Sequence, residues 1–279
     1  MTKSNSLKVF GLILLSTLIG ILSALINGYP IVFSDTSTYL ASGFSLETPV
    51  DRPIIYGILL RLFSLNGLSL WLVIVVSTFL LCWLLYQVII TFFGLDKVKS
   101  ALATVITCLI LSLFSSFSWN NSQLMPDIFT PILLFTTILL LNKKAFKRTD
   151  VGLYFLFVVA TSTHLSHITY NIAFLVTIGV LGYLIPKMRN FINFKVLFVL
   201  IGLTFLSILT MGSALSKSRH VFFMGAMVEH GIAKAYLDEN CDYHTFGLCA
   251  YKDDLPQLAW RFVWDEDSPL YSEEVGGWK

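Results

Sequence analysis

The sequence predicts an all-α membrane protein of about seven transmembrane helices. Short helices belong in its first extracytoplasmic loop, and a small disulfide-stapled extracytoplasmic segment closes the chain. Three observations predict this. Of 279 residues, 56% are hydrophobic and only 13% charged, against roughly 25% charged in an ordinary soluble domain. Mean hydropathy is +0.76. Several apolar runs approach the roughly 20 residues that cross a bilayer. A net charge of +2 is too small to argue for nucleic acid, and no basic patch interleaves with aromatics. Membrane lipids are the expected surroundings.

The spans follow in order: residues 7–26, 68–93, 101–117, 127–141, two within 151–185, and 196–215. A short apolar stretch at 53–65 precedes the second and suits an interfacial or re-entrant helix. The 151–185 segment is too long for one span and is interrupted by polar residues at 162–167. The first run lacks a clean small-x-small cleavage site, which predicts an uncleaved anchor. Two regions result, a bundle over 1–215 and an extracytoplasmic segment over 216–279.

Lys and Arg accumulate in cytoplasmic loops. With the N-terminus inside, Lys97, Lys99, Lys143, Lys144, Lys147, Arg148, Lys187, Arg189 and Lys195 all fall inside. The C-terminus is then extracytoplasmic. Of the 17 acids only Asp96 and Asp150 face the cytoplasm, and all five histidines lie outside or at the outer membrane edge. The tail accounts for most of these. It does not account for Asp35, Glu47, Asp51, Asp127, His164 and His167, which sit in three short outer connections.

The first connection reads "NGYPIVFSDTSTYLASGFSLETPVDR". Gly28 and Pro30 break the helix, and Ser34 or Asp35 can N-cap a short one. Asp35 therefore has two readings, a cap and a functional carboxylate. Arg52 suits bidentate phosphate or carboxylate recognition, and equally snorkelling to headgroups. The second connection, "SWNNSQLMPDIFTP", places Asp127 where the fourth span begins. Its charge also complements a helix N-terminus. In the third, "STHLSHITYN", His164 and His167 share one helix face. That spacing suits a metal or the polar lining of a cavity.

In the tail, residues 222–237 read as one helix with Glu229 and His230 near its middle. Cys241 and Cys249 lie on the oxidising side, where a disulfide is expected. Cys82 and Cys108 lie in spans and pack. Trp260, Phe262 and Trp264 form either an aromatic surface or, the favoured reading, the core of a small domain. No P-loop, dinucleotide-type Gly motif, nucleophile elbow or HExxH occurs.

The order of span, loop with "SDTSTYL", "DRPIIYGILLR", then a second loop with "MPDIF" resembles the GT-C superfamily of polytopic glycosyltransferases. The resemblance covers roughly residues 7–141 and rests on layout and a loose D…Y…R-P-x-x-Y pattern. It implies a polyprenyl-phosphate or -pyrophosphate sugar donor at a bacterial plasma membrane. Asp35 would be the general base, and Asp127 would orient the acceptor or hold a divalent cation with Asp35. Tyr39, Arg52, Tyr56, His164, His167, Arg219 and His220 would line the substrate site, with Arg52, Arg219 and His220 neutralising the leaving phosphate. GT-C members usually carry eight or more spans, so the resemblance also implies a chain shortened at its C-terminus. Two other classes fit the composition: a non-catalytic membrane assembly or scaffold subunit that docks through the tail, and a lipid or anion transporter.

Overall fold

A computed structural model describes residues 3–49, 51–210, 221–275 and 277. It is helical, with no strand among the described residues. Backbone contacts divide it into two units. The first holds residues 3–49 and 53–210, the second residues 51–52 with 221–275 and 277.

The first unit is a helical bundle. The first apolar run is not one helix, as expected, but α1 (Lys3–Gly20) and α2 (Leu22–Asn27). Close packing accompanies the break. A Cβ on Gly20 would meet the Thr78 methyl at 2.7 Å, so glycine lets α1 approach its neighbour. Two short helices follow, α3 (Thr36–Ser45) and α4 (Ile55–Phe63). Then come α5 (Leu70–Phe92), α6 (Lys97–Phe114), α7 (Phe117–Asn121) and α8 (Phe129–Leu141). A 3₁₀ turn, Pro126–Ile128, leads into α8. The long apolar segment divides at Thr163–His164 into α9 (Val151–Ser162) and α10 (Leu165–Leu184). The turn α11 (Pro186–Arg189) and α12 (Phe194–Thr210) complete the unit.

Asp96 caps α6 by accepting from the Val98 and Lys99 amides at 3.0 Å. Those donors hold its carboxyl below the usual carboxylate range, the Lys99 amide first. Within the helices, hydroxyls bond to their own backbone. Ser16 and Thr17 donate to Leu12 and Ile13 carbonyls at 3.0 Å, and Ser77 to Val73 at 2.7 Å. A polar group away from water needs such a partner.

The core runs through α5, α8 and α9, with Ile74, Leu81, Leu84, Ile132, Leu140 and Phe157 buried. The outer surface is apolar too. On α6, Leu102, Ile106, Leu109, Ile110 and Leu113 are all exposed. Helices apolar on both faces belong in lipid. Three, α5, α6 and α10, are long and apolar enough to cross a membrane. Ser4–Gly20, Pro126–Leu141 and Phe194–Thr210 are apolar but shorter. At 1.5 Å per residue, 17 residues extend about 26 Å against a hydrocarbon core of about 30 Å.

In the second unit α13 (Val221–Glu229) packs against both α14 (Ile232–Asn240) and α15 (Ala259–Trp264). The expected single helix over 222–237 is two, because Gly231 takes φ +71 between them. Its core is Val221, Val228, Ala233, Phe262, Val263 and Leu270. Phe262 is fully buried, but Trp260 and Trp264 are 54% and 44% exposed. The favoured core reading therefore fails for both tryptophans. They lie at i and i+4, on one face of α15, while Phe262 faces away. Cys241 and Cys249 form a disulfide. Closing so short a loop stabilises by about 2–3 kcal/mol in the chain-entropy picture. We expect Cys241→Ser/Cys249→Ser to make this unit more sensitive to limited proteolysis while leaving helix content unchanged. Equal protease sensitivity would show that the bridge contributes little.

Candidate functional site

The first two connections are clamped together. The Ile31 amide donates to the Ser122 carbonyl at 2.8 Å, and the Leu124 amide returns the bond to Ile31 at 2.9 Å. Thr36, only 2% exposed, donates its hydroxyl to the Leu124 carbonyl at 3.2 Å. The Thr36 hydroxyl oxygen in turn accepts from the Phe33 amide at 2.8 Å. Thr36 thus holds the turn into α3. Asp35 occupies the position before α3 and is half-buried, but its carboxylate makes no capping bond to that helix. The expected side-chain cap from Asp35 is thus not made, and Thr36 holds the turn instead.

Close backbone contact sets the position of α3 on α4. A Cβ on Gly43 would lie 2.1 Å from the Gly57 carbonyl oxygen, and one on Gly57 would lie 2.6 Å from the Tyr39 carbonyl oxygen. Only hydrogens fit there. The contact brings Tyr39 edge-on to Tyr56, with ring centroids 4.9 Å apart, and Tyr56 edge-on to Phe129 at 6.1 Å. Tyr39 and Tyr56 are 1% and 2% exposed. Both rings are packed into this stack beneath the surface. Burial pushes the Tyr56 hydroxyl well above its ordinary pKa, and Tyr39 and the Asp127 charge push the same way.

Asp127 is exposed in the turn before α8. With Cys82, Phe117, Asn120 and Asn121 it lines a cavity of about 180 Å³ that also touches Ile128, Pro131 and Phe135. His167 lines a different cavity, of about 220 Å³, with Thr130, Leu133, Leu134, Thr137 and Tyr170. At 100° per residue these two sets lie on opposite faces of α8. Asp127 and His167 are thus within electrostatic range of one another without sharing one pocket.

The histidines stitch helices. His167 is buried, with Nδ1 2.8 Å from the Ala160 carbonyl and Nε2 2.9 Å from the Thr130 hydroxyl. A proton on Nδ1 donates to the carbonyl and leaves Nε2 to accept from Thr130. Both ring nitrogens serve the joint between α9, α10 and α8. His164 caps α10, its Nδ1 accepting from the Ser166 amide at 3.2 Å. The two rings are 5.6 Å apart. Among the described residues no three His, Cys, Asp or Glu side chains converge.

Arg52 belongs to the second unit, where its Nε donates to Asp51 at 2.8 Å. Part of its charge is already met by its neighbour. Arg219 and His220 lie outside the described residues. Arg61 donates to Asn66 at 2.7 Å and sits over the Phe44 ring at 5.5 Å, tying down the turn after α4. Reading by motif overlooked Thr36, Gly43, Gly57 and Thr130. The small residues in "LASGFS" and "IIYGIL" are the one signal that marks a close crossing.

Compared with protein-family profiles, curated proteins and solved structures, the chain has no significant match.

Proposed function

We propose that the chain is an integral membrane glycosyltransferase-like enzyme of GT-C type, with about seven spans, a cytoplasmic N-terminus and its site on the extracytoplasmic side. One observation carries the reading. The loop bearing Asp35 is hydrogen-bonded, backbone to backbone, to the loop that leads to Asp127, so two carboxylates from distant sequence are held by one rigid frame. In this reading the Asp35 carboxylate takes the proton of an acceptor hydroxyl. The acceptor oxygen attacks the anomeric carbon, and the carbon–oxygen bond to the lipid phosphate breaks with its electron pair on the phosphate. One base and no covalent intermediate give inversion. In this reading Asp127 orients the acceptor.

A second reading, a scaffold subunit, draws support from the disulfide-closed C-terminal unit with its exposed Trp260 and Trp264. The two separate in cells. Lipids extracted from a strain lacking the gene should accumulate a polyprenyl-phosphate sugar, seen by mass spectrometry. An unchanged lipid profile together with loss of a co-purifying partner would favour the scaffold.

A further inference from the structure

The connection between α8 and α9 meets the start of α12 around a basic pocket of about 400 Å³. Lys143, Lys144 and Lys195 line it, with Asn142, Asn190 and Asn193. It adjoins an apolar groove of about 720 Å³ walled by Phe146, Tyr154, Val199 and Leu203, and Lys144, Asn193 and Lys195 border both. Asn193 makes the pocket rigid. Its backbone amide donates to the Leu141 carbonyl at 2.8 Å and its side-chain amide to the Lys143 carbonyl at 2.7 Å. Its Oδ1 accepts from the Lys195 amide at 3.0 Å, capping α12.

The charge is unbalanced. The nearby acid, Asp150, is buried and already paired with Lys143 at 2.9 Å. Among the described residues Lys144 and Lys195 have no carboxylate partner. Lys195 also stands in the first turn of α12, the end where a helix dipole disfavours a cation and favours an anion. The groove carries the second signal. Phe146 and Val199 are 65% and 49% exposed, large apolar surfaces bordering the lysines.

We propose that the pocket and groove together hold one anionic phospholipid. Its phosphate sits between Lys144 and Lys195. One acyl chain covers Phe146, Val199 and Leu203. The Lys/Arg bias puts this end at the cytoplasmic leaflet, where basic pockets between helices select anionic headgroups. A zwitterionic lipid brings a cation that Lys144 and Lys195 repel. A free phosphate leaves the groove bare. A polyprenyl phosphate has the same phosphate-and-chain chemistry, but the donor of the proposed transfer is consumed at the other face of the membrane.

Native mass spectrometry of the full-length protein in detergent tests this with four probes: phosphatidylglycerol, phosphatidylcholine, a polyprenyl phosphate and inorganic phosphate. Phosphatidylglycerol should be retained at least about tenfold better than phosphatidylcholine, as expected for two lysines near a membrane surface. Lys144→Gln/Lys195→Gln should remove that preference. Both side chains are exposed, so the variant should elute as the parent does. Val199→Trp, which fills the groove, should weaken phosphatidylglycerol but not inorganic phosphate. Equal retention of phosphatidylcholine, or an unchanged preference in the double variant, overturns the proposal. So does displacement by equimolar inorganic phosphate, which would mark a soluble-anion site. Retention of the polyprenyl phosphate alone would also overturn it.

Discussion

Asp35→Asn should abolish sugar transfer while the protein still inserts and purifies as the parent does. Asn matches Asp in size, so the substitution removes the carboxylate charge with little change of shape. General-base catalysis contributes typically 10²–10⁴-fold, and a loss of that size is expected in a transfer assay with a polyprenyl-phosphate sugar. The fold gives the experiment a clean background. The turn into α3 rests on Thr36, through its bonds with Phe33 and Leu124, and not on a cap from Asp35. Loss of the carboxylate should therefore leave α3 in place, read as an unchanged unfolding temperature in detergent. Near-normal turnover in D35N would remove Asp35 as the base. A large drop in stability would instead make the carboxylate structural.

The second large effect lies at the α3–α4 crossing. Gly43→Ala puts a methyl 2.1 Å from the Gly57 carbonyl oxygen and 2.6 Å from its carbon. Neither is the flexible end of a side chain, so backbone must move. Overpacking of this kind costs about 1–3 kcal/mol or more, roughly 2–10 °C for a chain of this size. The separation of α3 from α4 would also disturb the Tyr39–Tyr56–Phe129 stack and move Asp35, the proposed base. Transfer should thus fall along with stability. Gly11→Ala is the matched control, because nothing lies within 4 Å of its added carbon, and Ala favours a helix over Gly by about 1 kcal/mol. If the two variants melt alike, the crossing is not the tight contact described.

Much of the fold was legible in the sequence because lipid imposes simple rules. Apolar runs had to be helices, since a backbone in hydrocarbon must satisfy its own hydrogen bonds. The runs that became α5, α6 and α10 needed only length and composition to be recognised. Breaks were harder to place. Gly231 reads as one more residue in a helical pattern until its positive φ separates α13 from α14. Trp260 and Trp264 look like core by hydrophobicity, yet α15 turns Phe262 inward and leaves them out. A one-dimensional pattern fixes which residues share a face but not which face is buried.

The site divides in the same way. Residue type alone marked Asp35 and Asp127 as carboxylates at membrane edges, where a charge is costly without a role. The sequence by itself determined the helical membrane class, the charge asymmetry and the acids worth testing. Only the tertiary structure decided that Ile31 bonds to Ser122 and Leu124. Only it showed that His167 is committed to Ala160 and Thr130, and that Lys144 and Lys195 border one apolar groove. The reason is physical. Composition and period are set by the local chain and its solvent, whereas these contacts join residues far apart in sequence whose meeting depends on how the whole bundle packs.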